Sequence, residues 1–252
     1  MLMTGKVVIV TGGARGIGEA YSRAFAKAGA KVAIAARSEK KAQQLVDEIR
    51  ADGGTAIAVK TDLAVEEDIK NLVKTVVAEY GTVDCVINNA ALSSESEDMP
   101  FFEMSNEEFE KTINIDLIAV FKLCREVFPY MCEKGGRIVN VASRVVFTGY
   151  PKDGKAHYVA AKAGIIGLTR QMAKEAGKYN VNVNCIVPGV VTSDGMMAAF
   201  GEEAVKQMCA GHAIPELVKP EDLAGAALFF CSEHSKMITG QTLVIDGGKY
   251  FR

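Results

Sequence analysis

Val7-Val-Ile-Val-Thr-Gly-Gly-Ala-Arg-Gly-Ile-Gly18 is the stretch on which the fold of this chain turns. Val7–Val10 is a short β-branched run of the kind that forms a buried strand, and a helical pattern runs from Gly16 to Ala28. Gly12, Gly16 and Gly18 stand between strand and helix, spaced Gly-x-x-x-Gly-x-Gly. Glycine permits positive φ and lets the main chain come close to a pyrophosphate, while a helix N-terminus offers unpaired N–H groups and a partial positive charge. The spacing is not the Gly-x-Gly-x-x-Gly usually quoted for dinucleotide sites. The context of strand, loop and helix is nevertheless what a phosphate cradle requires, and a purely structural turn is the lesser reading.

The alternation continues outward from that loop. Lys31–Ala35 is followed by a helical pattern over Glu39–Ala51, Ala56–Lys60 by one over Val65–Tyr80, and then comes the run Val83–Ile87. A helix from about Ser105 to Glu133, interrupted near Pro129, precedes a strand at Arg137–Val141. After it stand a helix from Ala156 to Lys174, a strand at Asn182–Val187, a Met-rich segment, a helix opened by Pro220 and a strand at Thr242–Ile245. Strands alternating with helices imply an α/β fold, a doubly wound parallel sheet of Rossmann type with helices on both faces. No Pro/Ser-rich linker, charge run or repeat divides residues 1–252, so one domain is expected to hold both cofactor and catalytic groups. Ligands should sit beyond the carboxyl ends of the strands.

Composition narrows the function. The chain is 49% hydrophobic and 24% charged with a net charge of −2, which leaves no electrostatic footprint for nucleic acid or an anionic membrane. Cys85, Cys124, Cys132, Cys185, Cys209 and Cys231 are widely spaced without a Cys-x-x-Cys pair, and read as reduced packing residues rather than disulfides or metal ligands. Met1–Lys6 leads straight into a strand without a signal-peptide pattern, and no apolar run is long enough to span a membrane. A cytoplasmic location is expected.

Two further sites carry chemistry. At the end of the second strand, where a carboxylate would bind both hydroxyls of an adenosine ribose, this chain has Ala35-Ala36-Arg37-Ser38. Arg37, with Arg15 inside the glycine loop, puts two guanidinium groups where a 2′-phosphate would lie, so NADP(H) is expected over NAD(H). In His157-Tyr-Val-Ala-Ala-Lys162, the i,i+4 spacing brings the Tyr158 phenol and the Lys162 ammonium to one helix face. A neighbouring cation favours the phenolate and turns a weak acid into a usable acid–base group near neutral pH.

With these features the chain resembles the single-domain, roughly 250-residue branch of the short-chain dehydrogenase/reductase family over essentially its whole length. The resemblance is carried by the Thr11–Gly18 loop, Asp62, Asn88-Asn89-Ala90, Asn114, Ser143, Tyr158 with Lys162, Pro188-Gly189-Val190-Val191-Thr192, and Ile238-Thr-Gly-Gln241 to Asp246-Gly-Gly248. It implies that Tyr158 is the general acid in carbonyl reduction, that Lys162 lowers its pKa and binds the nicotinamide ribose, that Ser143 polarises the substrate oxygen, and that Asn114 holds a relay water. It also implies that Gly12, Arg15, Gly16, Ile17 and Gly18 surround the phosphates. Asp62 and Leu63 would flank the adenine, Asn89 and Ala90 the ribose, and Val191 and Thr192 the carboxamide.

The expected activity is NADP(H)-dependent interconversion of a ketone and a secondary alcohol on a medium-sized, largely apolar substrate. A 3-oxoacyl carrier-protein reductase is the nearest alternative, with Arg125, Arg137 or Arg170 available to an acidic carrier. A hydroxysteroid or sugar-alcohol dehydrogenase and a non-catalytic nucleotide sensor are the remaining readings. Ala91 stands where the family often has glycine, and Ser143 and Tyr158 lie fifteen positions apart, slightly more than usual. Three segments, 91–104, 144–157 and 193–212, are expected to choose the substrate, with Phe101, Phe102, Phe147, Tyr150, Met196, Met197, Phe200 and Met208 as apolar lining and Ser93, Ser94 and Glu95 as polar exceptions. Arg144, Lys152 and Lys155 could give the pocket a basic rim, a solvated loop being as good a reading. His157 and His212 read as packing or surface residues. By family resemblance, pairing through the helices around Asn106–Lys134 and Ala156–Lys178 implies a homotetramer, with a homodimer next.

Overall fold

A computed structural model describes residues 2–92, 98–150 and 154–250. Its first strand, β1 (Val7–Thr11), is buried along its whole length and leads through the glycine loop into α1 (Gly16–Lys27). The chain then alternates through β2 (Lys31–Ala36), α2 (Glu39–Ala51), β3 (Thr55–Lys60), α3 (Glu66–Tyr80) and β4 (Cys85–Asn88). The second half contributes α4 (Asn106–Ile113), α5 (Ala119–Met131), β5 (Gly136–Val141), a short α6 (Val145–Thr148), α7 (Ala156–Ala176) and β6 (Val181–Pro188). Two short helices, α8 (Asp194–Phe200) and α9 (Glu202–Cys209), precede α10 (Pro220–Cys231) and β7 (Thr242–Ile245).

All seven strands pair in parallel in the order β3-β2-β1-β4-β5-β6-β7. This is the doubly wound sheet that the alternating pattern predicts. Successive residues of β1 serve opposite faces. Val7 and Ile9 pack with Ile69 and Leu72 of α3, Leu123 and Val127 of α5 and Ile165 of α7, whereas Val8 and Val10 pack with Tyr21 and Phe25 of α1, Leu45 of α2 and Leu223 of α10. Direction of winding reverses between β1 and β4, and the crevice beyond their carboxyl ends is where such a sheet accepts a ligand.

The helix expected over about Ser105–Glu133 is interrupted, but at a different place from the one anticipated. Pro129 sits inside α5, one turn from its end and on the exposed side, where the carbonyl it leaves without a helical partner can reach water. The break is instead the π-helical turn Asn114–Ile118, closed by the Ala119 N–H donating to the Asn114 carbonyl. Such a turn inserts one residue and rotates the helix beyond it, a device common at functional sites. No described helix is long and apolar enough to cross a membrane.

A buried polar chain ties α7 to the sheet. Asn88 Nδ2 donates to Asn140 Oδ1 at 2.8 Å, Asn140 Nδ2 to Thr169 Oγ1 at 2.9 Å, and the Thr169 hydroxyl to the Ile165 carbonyl at 2.8 Å. Every link is buried, so each would be costly to break. The helix bearing Tyr158 and Lys162 is thereby held in register with the ends of β4 and β5.

Candidate active site

The glycine loop is shaped by contacts that only glycine tolerates. Gly12 and Gly16 have φ of 63° and 53°, in the left-handed region, and a Cβ on Gly18 would run into the Gly12 carbonyl oxygen. α1 can therefore begin almost in contact with the loop. Its N-cap residue, Arg15, is extended and makes no side-chain cap, which leaves the first amides of a 12-residue helix facing the crevice. That is a cradle matched in charge and shape to a dinucleotide pyrophosphate, so the residues present fit the cofactor the sequence implies. Across the crevice Thr11 joins the two central strands. Its Oγ1 accepts the amides of Asn89 at 3.0 Å and Ala90 at 3.1 Å, and Asn89 Nδ2 donates to the Thr11 carbonyl at 3.0 Å.

The adenosine side is assembled by register. The Gly12 amide donates to the Ala35 carbonyl at 2.8 Å, so the end of β2 lies against the loop, with Ala36 and then the exposed Arg37 immediately beyond. Arg15 is exposed on the loop itself. Asp62 uses one carboxylate oxygen to accept the Ala64 amide at 2.9 Å, and Leu63 packs partly into the core, so this pair is fixed by its own turn at the end of β3. Val191 is buried and bridges to Val218, while the Thr192 amide and hydroxyl both donate to the Val218 carbonyl, at 2.9 and 3.2 Å. Ser193 caps α8 and its Cβ lies close to where a Gly16 side chain would begin, which brings this segment over the glycine loop.

The reacting end lies at the start of α7. Tyr158 is 9% exposed and Lys162 2%, and Lys162 Nζ stands 5.8 Å from the centre of the Tyr158 ring. Lys162 is aimed by the Val141 carbonyl, which accepts from Nζ at 3.1 Å at the very end of β5. Ser143 follows two residues later, half-buried, before the turn in which its carbonyl accepts the Val146 amide. Tyr158 and Lys162 thus meet at the carboxyl end of β5, with Ser143 in the turn immediately beyond it.

Residues 12–249 match the family model described as Enoyl-(Acyl carrier protein) reductase, of the type adh_short_C2. Over 249 residues the chain is 36% identical to a 3-oxoacyl-[acyl-carrier-protein] reductase FabG of Chlamydia muridarum, covering 98% of each. The protein of the same name from Staphylococcus aureus strain Mu50 is 35% identical over 252 residues, covering 99% of this chain and 100% of that one. Its counterpart from Staphylococcus epidermidis is 35% identical over 247 residues, covering 97% and 99%. The chain belongs to the short-chain dehydrogenase/reductase family. As a member of that family it is an oxidoreductase acting between CH–OH and C=O groups with NADP(H) as cofactor.

One family role does not settle on the residue the sequence suggested. Asn114 opens the π-helical turn and is exposed. Asp116, two residues on, is fully buried, and its Oδ2 lies 3.8 Å from Lys162 Nζ while Oδ1 accepts the Leu92 amide at 2.8 Å. Two positions along a helix turn the side chain by about 200°, so Asn114 and Asp116 leave it on opposite sides. Burial pushes the Asp116 carboxyl above the ordinary carboxylate range, and the Lys162 charge, the Leu92 amide and His157 pull it back. A signal was present in the spacing Glu108-x-x-x-Thr112-x-x-x-Asp116, one polar row on a helix whose neighbour carries His157 and Lys162.

The three substrate segments fare differently. Ser93, Ser94, Glu95 and Lys152 lie outside the described residues. Phe101 and Phe102 are 75% and 72% exposed and stack edge to face with centroids 5.3 Å apart. Lys155, expected as a basic rim, is buried and pairs with Asp98 at 2.7 Å, joining the first segment to the second. Met196, Met197, Phe200 and Met208 pack with Val190, Val205 and Cys209 in a small core of their own beneath α8 and α9. Met197→Ala should therefore loosen the small core beneath α8 and α9 and depress kcat/KM about equally for all substrates. Phe147→Ala, on α6 beside Ser143, should reorder a series of ketones while NADPH affinity stays near wild type; steady-state rates on such a series, with cofactor titrations, check both.

Proposed function

We propose that this protein reduces the ketone of a 3-oxoacyl thioester to the secondary alcohol with NADPH. The chemistry rests on one observation above the others, the buried Tyr158 ring beside the Lys162 ammonium at the carboxyl end of the central strands. The choice of a 3-oxoacyl group within the broader class of medium-sized apolar ketones is supported by end-to-end similarity to 3-oxoacyl-[acyl-carrier-protein] reductases. NADPH, when bound, supplies the hydride. Tyr158 then donates its hydroxyl proton to the substrate oxygen, and Lys162, held by the Val141 carbonyl, stabilises the phenolate left behind. Ser143 donates a hydrogen bond to the same oxygen as negative charge develops on it. Gly12, Gly16, Ile17, Gly18 and Arg15 hold the phosphates, Asn89 and Ala90 the ribose, Asp62 and Leu63 the adenine, and Val191 and Thr192 the carboxamide.

A rate comparison tests the substrate. Acetoacetyl thioesters on a carrier protein and on a small thiol, simple linear and cyclic ketones, and sugar alcohols with oxidised cofactor would be compared through nicotinamide absorbance. The thioesters should show the highest kcat/KM. Turnover confined to cyclic ketones or sugar alcohols would overturn the substrate and leave the reaction class standing.

A carrier would find fewer basic contacts than a count of arginines suggests. Arg137 is engaged by Glu233 at 3.1 Å and by the Asn180 carbonyl, and Arg125 faces Glu66 and Glu126, each at 3.7 Å. Arg170 is exposed on α7.

Assembly as a homotetramer is supported by apolar side chains left exposed along α4, the π turn and α5, namely Phe109, Ile118 and Phe121. Sedimentation should give a species of four chains, and a stable monomer at micromolar concentration would refute the assembly. Six free cysteines, five of them buried, agree with a cytoplasmic location.

A further inference from the structure

We propose that Asp116, His157 and Glu108 conduct a proton between Lys162 and the protein surface, along a path completed by internal water. The proposal deepens the acid–base reading of Tyr158 and Lys162 and depends on it. After each reduction Tyr158 has lost a proton to product, and that proton has to be replaced from solvent through a buried site. The direct neighbours of Lys162 define a route.

Asp116 is fully buried, with Oδ1 occupied by the Leu92 amide and Oδ2 lying 3.8 Å from Lys162 Nζ. His157, also fully buried, precedes Tyr158 on α7, and its Nε2 lies 3.9 Å from Oε1 of Glu108 in the first turn of α4. Asp116 and His157 are within electrostatic reach of one another. Glu108 is the outer end of the row, with its side chain partly exposed and Lys111 Nζ 3.5 Å away.

Unpaired polar atoms indicate how the gaps are filled. Ten buried side-chain polar atoms lack a hydrogen-bond partner among the described residues, and five belong to this row: Glu108 Oε1, Thr112 Oγ1, Asp116 Oδ2 and both ring nitrogens of His157. An unpaired buried polar atom is costly, so a concentration of five in one place marks a hydrated seam rather than a packed one. The 3.8 and 3.9 Å separations lie just beyond direct hydrogen bonding, within range of a small side-chain motion or an adjoining water.

Neither ring nitrogen of His157 makes a close hydrogen bond, though the Lys155 backbone carbonyl acts on the ring, and a histidine so placed can take a proton on one nitrogen and release it from the other. In reduction a proton enters at Glu108, passes to His157, then Asp116, then Lys162, and restores the Tyr158 hydroxyl. Each transfer breaks one O–H or N–H bond and makes the next. No electrons move, and every group returns to its initial protonation state. Burial holds the His157 pKa below its ordinary value and the Lys155 charge acts in the same sense, while the nearby Lys155 backbone carbonyl, Glu108 and Asp116 oppose them. Lys155 is itself paired with Asp98, and Lys162 faces Asp116.

Two readouts test the path. In the cofactor-free protein, the NMR titration of His157, assigned by loss of its signal in His157→Gln, should move to lower pH in both Glu108→Gln and Asp116→Asn, because each substitution removes a field that favours the imidazolium. In turnover with NADPH, His157→Gln should lower kcat about tenfold, a part of the usual general acid–base factor, with KM little changed, an altered kcat–pH profile and partial rescue by added imidazole. Should His157→Gln fail to fold, Glu108→Gln at the surface end should show the same altered profile. A kcat–pH profile of a folded relay variant that overlays wild type, a pH-independent loss without rescue, or a His157 titration unmoved by both carboxylate substitutions would each overturn the proposal. Tyr158→Phe separates the two levels: loss of turnover there beside an unaffected His157→Gln removes the relay alone, whereas retained turnover removes the acid–base assignment beneath it.

Discussion

Tyr158→Phe should lower kcat by about 10²–10⁴-fold while NADPH still binds, since general acid–base groups contribute factors of that size and only a hydroxyl is removed. The ring is buried at the start of α7, and phenylalanine keeps its shape, so the fold should survive with little change in thermal midpoint. Lys162 would remain tethered to the Val141 carbonyl and paired toward Asp116, which keeps the cofactor side of the site intact. Cofactor fluorescence titration and single-turnover rates on the same preparation would separate binding from chemistry. Near-normal kcat in a folded, NADPH-binding variant would exclude Tyr158 as the proton donor.

The second large effect concerns cofactor choice. Arg37→Ala should weaken NADPH by about 10–150-fold, the equivalent of the ~1.5–3 kcal/mol of a charge-assisted hydrogen bond, and leave NADH almost unchanged. Ala36→Asp should move preference further toward NADH, because it places a carboxylate where it can accept from the ribose hydroxyls and repel a 2′-phosphate. The positions are set by the Gly12 amide on the Ala35 carbonyl, which fixes the end of β2 against the phosphate cradle. Competitive binding of the two cofactors to each variant is the measurement, and equal weakening of both would show that Arg37 supports the loop rather than reading the phosphate.

Much of this protein could be read locally. The strands alternate with helices at spacings that leave a parallel sheet as the economical solution, and the glycine loop, Tyr158 and Lys162 are short-range patterns whose geometry comes from one turn or one helix face. Their chemistry depends on residues at most a few positions apart. The short α6, the π turn and the separate little core under α8 and α9 left no comparable mark, because each depends on the elements packed against it.

The sequence alone determined the doubly wound class, the position of the phosphate cradle, the absence of a carboxylate at the end of β2, and the pairing of phenol with ammonium. These come from backbone preferences and fixed helical spacing, which travel with the residues themselves. Only the tertiary structure decided that Asp116 rather than Asn114 faces Lys162, that Lys155 is buried against Asp98, and that His157 is buried within reach of Glu108 and Asp116. Those facts arise where α4, its π turn and the segment before them lie along α7, between residues about fifty positions apart, and such contacts depend on how the helices pack rather than on any local pattern.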